Sequence, residues 1–150
     1  MYYFGLIIIF LIDRLSKELV AKFFQLNQSL PVIKNIFHLT YIKNSGALWG
    51  ILAGWRIFLI IAGILILFFI TLLERSFPAG QKLLRFTLGL VAGGVTGNLF
   101  DRIFYGGVID FLDFRFWPIF NLADTFTNIG VLLLIFWLVK DFFKEKRKIN

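Results

Sequence analysis

Asp110 and Asp124 are the residues from which chemistry is most readily built, because both stand where a strongly apolar chain should re-enter a membrane. Asp124 closes Phe120-Asn121-Leu122-Ala123-Asp124, ahead of a run over 126–139 that holds no charged residue. Asp110 closes Gly106-Gly107-Val108-Ile109-Asp110, shortly after another apolar stretch. A carboxylate costs about 2.5–3.5 kcal/mol at the centre of a membrane helix, so each needs a reason to be there. Two that meet at one site repel, one pKa rises, and the pair holds a single proton over a working pH range. The ionised member can then take a proton from water while the protonated member polarises a carbonyl. That is peptide hydrolysis of the aspartic-protease type. Taken singly, each aspartate is more simply structural: Asn121 suits a helix N-cap, with Asp124 at N3 favoured by the helix dipole.

Other chemistries fail on inventory. There are no cysteines, which excludes disulfides and thiolate nucleophiles, and His38 is the single histidine. One histidine without cysteines builds no zinc site, so neither metal nor cofactor is expected. No nucleophile-elbow motif is present, and His38 reads as a surface residue. Gly93-Gly94-Val95-Thr96-Gly97 lacks the lysine of a phosphate loop. Asn98, Asp101 and Arg102 share a helix face. Arg102 serves either as the ion-pair partner of Asp101 or as a donor to a carbonyl-rich substrate. Asp113 and Arg115 read as solvated loop residues, and Asn44 in Asn44-Ser45-Gly46 as a turn former.

The elements that must position these residues follow from composition. The chain has 150 residues, 59% of them hydrophobic and 20 of them phenylalanine, more apolar surface than a soluble domain this size could hide. One integral membrane domain is expected over 1–150. Met1 to Ile12 lacks the basic start and cleavage site of a signal peptide and is taken as part of a retained helix. Four spans are predicted, over 2–24, 56–73, 85–104 and 122–139, each near the roughly 20 residues that crossing requires. In the first, Asp13 faces Lys17 and Arg14 faces Glu18 at i,i+4. Gly89, Gly93 and Gly97 stripe one face of the third and suit close helix packing. Residues 25–55, with Pro31 and the β-branched and aromatic run 36–42, predict a small strand-bearing cap, with Trp49 and Trp55 at headgroup level.

The formal net charge of +7 resides mostly in short segments flanking apolar runs, which signals membrane topology rather than nucleic acid. Eight Lys and Arg residues fall in 74–85 and beyond 139, against four in 25–56 and 103–120. Both termini and the 74–85 loop are therefore expected in the cytoplasm, with the two aspartates on the outer side. The basic tail from Lys140 would lie near anionic lipid.

Taken together, these residues resemble the bacterial lipoprotein signal peptidases, or signal peptidase II, in five blocks in the family's order. Asp13-Arg14-Leu15-Ser16-Lys17 matches its D-x-x-S/T-K block, Asn44-Ser45-Gly46 its N-x-G block, and Gly97-Asn98-Leu99-Phe100-Asp101-Arg102 its G-N-x-x-D-R block. Val108-Ile109-Asp110-Phe111 and Phe120-Asn121-Leu122-Ala123-Asp124 match its two aspartate blocks. The resemblance implies an all-α integral membrane protein of four transmembrane helices with a small β-rich cradle on the outer face. It implies cleavage of a prolipoprotein immediately before a cysteine carrying a diacylglyceryl group, by a bacterial inner-membrane enzyme that works as a monomer. Asp110 and Asp124 would be the catalytic dyad. Asn44, Gly46, Asn98, Asp101, Arg102 and Asn121 would position substrate or dyad, and Asp13 with Lys17 would support the site floor. Partners would be lipidated precursors and membrane lipids. Leu48 and Trp49 depart from the usual small residue and Phe, which bears on the shape of the cradle wall. A proton-coupled carrier is disfavoured by the interfacial dyad and the absence of visible internal repeats. A non-catalytic assembly protein that packs through the glycine stripe would tolerate neutral replacement of both aspartates.

Overall fold

The computed structural model of the protein describes residues 1–46 and 51–149. Helix α1 runs Tyr2–Phe23, and two strands follow, β1 (Ser29–Ile33) and β2 (Phe37–Asn44). Then come α2 (Arg56–Ser76), α3 (Lys82–Phe104), a third strand β3 (Val108–Asp113) and α4 (Leu122–Ile149). The strand-bearing cap expected over 25–55 is present as β1 and β2. Leu48 and Trp49 lie outside the described residues, and Trp55 is exposed at the N-cap of α2.

Three described helices are long and apolar enough to cross a membrane: α2, α3 and α4 over Leu122–Lys144. The remaining helix, α1, has the length, at 22 residues, but carries Asp13, Arg14, Lys17, Glu18 and Lys22 in its second half. The α2 surface is almost wholly exposed, with Ile57, Phe58, Ile61, Ile64, Leu65, Phe68 and Phe69 pointing outward. Side chains of this kind suit hydrocarbon rather than water.

The third helix is the hub, packed against each of the other three. Its glycine stripe explains how. A Cβ on Gly93 would meet the Leu6 carbonyl at 2.7 Å and Ile9 Cβ at 2.8 Å, and one on Gly89 would strike the Tyr2 carbonyl. Larger residues would hold α1 away, as close helix approach demands small ones. Gly5 faces Phe86 and Gly89, Ile9 faces Gly93 and Asp13 faces Gly97, so α1 runs parallel to α3. Gly94 faces Ala123 and Thr127, and Gly130 faces Thr87 and Val91, so α4 runs antiparallel to it. Gly63 meets Leu99, and Glu74 pairs with Arg85, which makes α2 antiparallel as well. The start of α1, the α2–α3 turn and the far end of α4 therefore share one end of the bundle, while the sheet and the aspartates share the other.

Residues 105–121, between the third and fourth predicted spans, hold a strand and not only the loop expected around Asp113 and Arg115. Gly106, at φ +77°, terminates α3 in the left-handed conformation that favours glycine, and the chain then enters β3. Strand order is β1-β2-β3, antiparallel throughout, with Pro31 on the edge strand where its missing N–H is tolerated. The β2–β3 register sets Ile42 opposite Asp110 and Asn44 opposite Val108. Phe120 then bridges back to Leu112, with its N–H donating to the Leu112 carbonyl at 3.1 Å. Asp113 is likewise not solvated. It is buried, accepting from Thr40 Oγ1 at 2.7 Å and from the Arg115 backbone and guanidinium at 2.9 Å.

Candidate active site

Five elements deliver the site: the ends of β2 and α3, strand β3, the start of α4 and the polar half of α1. The first turn of α4 is a capping box built from Asn121 and Asp124. The Asn121 side-chain oxygen accepts from the Asp124 N–H at 2.9 Å, and the Asn121 N–H donates back to Asp124 Oδ2 at 3.3 Å. The cap predicted for Asn121 is thus real, and the same residue does more. Its Nδ2 donates to Asp110 Oδ1 at 2.6 Å, to Asn98 Oδ1 at 3.0 Å and to the Ile109 carbonyl at 3.3 Å. One buried amide therefore touches both aspartates.

Each carboxylate has a second amide partner. Asn44 Nδ2 donates to Asp110 Oδ2 at 3.0 Å, made possible by the β2–β3 register. Asn44 is also the expected turn former, since its Oδ1 accepts from the Gly46 N–H at 2.9 Å. Asn98 Nδ2 donates to Asp124 Oδ1 at 2.7 Å. Burial first, and the neighbouring Asp124 charge second, push the Asp110 carboxyl up from 3.8 to about 7, against the opposing amide bonds from Asn44 and Asn121.

Beneath this layer lies a wholly buried ionic one. Lys17 Nζ sits 2.8 Å from Asp13 Oδ2, 2.9 Å from Asp101 Oδ2 and 3.0 Å from Asn98 Oδ1. Asp13 Oδ1 accepts the Ala123 N–H at 3.0 Å, which ties α1 to the first turn of α4. Asp101 Oδ2 also accepts the Ile109 N–H at 3.2 Å, anchoring β3 one residue from Asp110. Lysine held between two carboxylates fixes Asn98 with its oxygen toward Lys17, and so leaves its NH2 for Asp124. Four acids (Asp13, Asp101, Asp110, Asp124) and three bases (Arg14, Lys17, Arg102) make up this cluster, so one proton on an acid leaves it neutral.

Every predicted site residue belongs to this assembly, with one pairing changed. Asp101 is partnered by Arg14 and Lys17 rather than by Arg102. Arg102 instead donates to the Gly46 carbonyl at 2.9 Å and to the Asn98 carbonyl at 3.3 Å. The i,i+4 pair of Arg14 and Glu18 exists, but at 3.5 Å it is secondary to Asp101. Arg14 was missed as a site residue because its main partner is 87 residues away, and only the tertiary fold brings them together. Half-buried His38 has Nδ1 3.2 Å from Ser29 Oγ and lies in β2, apart from the aspartates.

Asn44, Gly46, Asn98, Arg102, Asp110 and Asp124 wall a cavity of about 230 Å³, completed by Val108, Ile119, Thr127 and Asn128. Both carboxylates thus face one space, with a guanidinium and three amides around it. Among the described residues no cluster of His, Cys, Asp and Glu is arranged to hold a metal. Water and a peptide carbonyl fit the donor and acceptor set. The four residues after Asp124 gave no signal by motif; Thr127 and Asn128 could have been found only as polar residues breaking an apolar span.

Residues 6–140 match the family model described as signal peptidase (SPase) II. The lipoprotein signal peptidase of Halothermothrix orenii is 43% identical, covering 92% of this chain and 94% of that protein. Those of Moorella thermoacetica and Bacillus subtilis are 44% and 38% identical, covering 89% and 99% of this chain and 89% and 99% of theirs. Two solved structures, each described as a bacterial membrane enzyme, superpose with TM-scores of 0.88 and 0.84 at 31% and 32% identity. Each covers 93% of this chain, and 88% and 93% of the respective structure is matched.

Proposed function

The chain belongs to the signal peptidase II family, and from that membership we propose that it is an intramembrane aspartic endopeptidase acting on diacylglyceryl-modified prolipoproteins. Cleavage falls immediately before the lipidated cysteine. The observation that carries the chemistry is Asn121, whose amide group contacts Asp110 while its backbone and side chain cap onto Asp124. Two acids held by one residue, in one cavity, with one carboxyl raised to about 7, suit a pair that shares a proton at neutral pH. The ionised partner removes a proton from water as the water attacks the peptide carbonyl. The protonated partner hydrogen-bonds the carbonyl oxygen and stabilises its developing charge, then returns a proton to the leaving amine. Asn44, Asn98 and Asn121 orient the two carboxyls, and Arg102 is the charged donor available to substrate carbonyls. Asp13, Lys17 and Asp101 form the floor that fixes Asn98 and the α4 cap.

The same reading makes α1 a fourth span. It lies parallel to α3 from Gly5 to Asp13, so it shares the depth of a helix that itself suits a bilayer. Its charged half is neutralised against Asp101 and lies beside the outer end of α3. Lys and Arg bias then sets both termini in the cytoplasm and the aspartates near the outer face of the inner membrane. One peptidase domain, acting as a monomer without metal or cofactor, suffices for this scheme.

The test uses purified protein in bilayers with a lipidated precursor peptide and an unlipidated control. Wild type should cut only the lipidated peptide, and Asp110→Asn and Asp124→Asn should each remain folded and cut neither. Turnover by either variant would refute the pair.

A further inference from the structure

Asn128 is one turn beyond Asp124 on α4, and nothing in the scheme above uses it. Between 126 and 139 the span has only Thr127 and Asn128 as hydroxyl or amide side chains. Thr127 is spoken for by packing, since its Oγ1 fills the space a Cβ on Gly94 would occupy. Asn128 is exposed and, among the described residues, makes no hydrogen bond. A primary amide in an apolar span is costly unless its donors and acceptor find partners. Helix packing does not account for it, because Asn128 is exposed whereas Gly130, two residues on, is buried against Thr87 and Val91 of α3.

Its position names the partner. Asn128 lines the polar cavity that holds both aspartates. It also lines a second cavity of about 490 Å³, walled by Phe114, Phe116, Trp117 and Phe120, which likewise reaches Asp124. The first space suits a peptide and the second suits hydrocarbon. In a diacylglyceryl peptide, the groups joining peptide to acyl chain include the ester linkages. An ester carbonyl is an acceptor without a donor, and an asparagine NH2 at the boundary matches it.

We propose that Asn128 is a specificity-determining residue whose side-chain NH2 donates to an ester carbonyl of the substrate's glyceryl lipid, with an acyl chain lying in the aromatic cavity. The assignment rests on the proposed function and deepens it, because it names how the lipid is read.

The experiment compares two precursor peptides that differ only in the lipid, one diacyl (ester) and one dialkyl (ether), with the full-length protein in bilayers. Wild type should cleave the ester peptide with kcat/KM about two- to tenfold above the ether peptide, the range for one hydrogen bond. Asn128→Leu should lose that preference, cutting the ester and ether peptides with equal kcat/KM whatever its absolute rate. Equal wild-type rates on the two lipids would overturn the proposal. So would a Leu variant that keeps the ester preference, including one that loses both activities by the same factor, which would place Asn128 on the peptide instead. A wild-type protein that cleaves neither lipidated peptide would overturn the proposed function itself.

Discussion

Replacing Asp110 with Asn should abolish cleavage yet make the protein relatively more stable as pH rises. The folded chain holds this carboxyl at about 7, whereas the ordinary value is 3.8. At about 1.36 kcal/mol per pKa unit, that is about 4 kcal/mol of preference for the neutral form in the fold. The folded protein therefore keeps a proton that the unfolded chain releases, and wild type loses this stability as pH climbs from about 4 through about 7. Asparagine cannot ionise, so the variant has no such loss. It does carry a fixed cost: both Asp110 oxygens accept amide protons, from Asn121 at 2.6 Å and Asn44 at 3.0 Å. An amide there opposes one donor with another, a cost of about 1–3 kcal/mol at every pH. The variant should thus be less stable than wild type near pH 4 and more stable by about 1–3 kcal/mol near pH 8. Thermal unfolding followed by tryptophan fluorescence across that range is the assay. The difference in Tm between the two proteins should change by about 10 °C over the window, using globular-protein entropies for a chain of this length. Parallel Tm profiles would refute the argument, because they would mean that Asp110 ionises in the fold as readily as in the unfolded chain.

Other outcomes follow from the same geometry. Lys17→Met strands Asp13 and Asp101 without their shared cation and should cost about 3–5 kcal/mol in unfolding experiments, with cleavage lost as Asn98 is freed. Gly97→Ala would place a methyl group against the Asp13 carboxylate and loosen its bond to the Ala123 N–H. Cleavage should fall while the helical circular dichroism is kept, and stability should drop by about 1–3 kcal/mol. The pH profile of kcat/KM should be bell-shaped, with an alkaline limb near pH 7 as Asp110 loses its proton and an acid limb where the second carboxyl gains one.

The residues of the candidate site were legible in the chain because they lie in short motifs: Asp110, Asp124, Asn98 and Asn121 are brought together by the fold. The helices were legible because apolar runs of spanning length have few alternatives. What could not be read was pairing over long sequence separation. Asp101 and Arg102 are adjacent in sequence, but Asp101 turns toward α1 because Lys17 and Arg14 approach through the Gly93 and Gly97 face. Strand β3 was hidden for a similar reason. Six residues between two turns carry little periodic signal, and its partner positions on β2 lie 64 to 75 residues earlier, at a register no local pattern encodes. Asp113 shows the consequence, since a charge that reads as solvated in a loop is buried once that loop is a strand.

Isotope-edited infrared spectroscopy of the aspartate carboxyls tests most directly whether Asp110 and Asp124 share one proton. At neutral pH the account predicts a protonated-carboxyl band that titrates away near pH 7 and is lost in Asp110→Asn. A spectrum in which every aspartate is ionised at pH 6, or a protonated band untouched by that substitution, would contradict it.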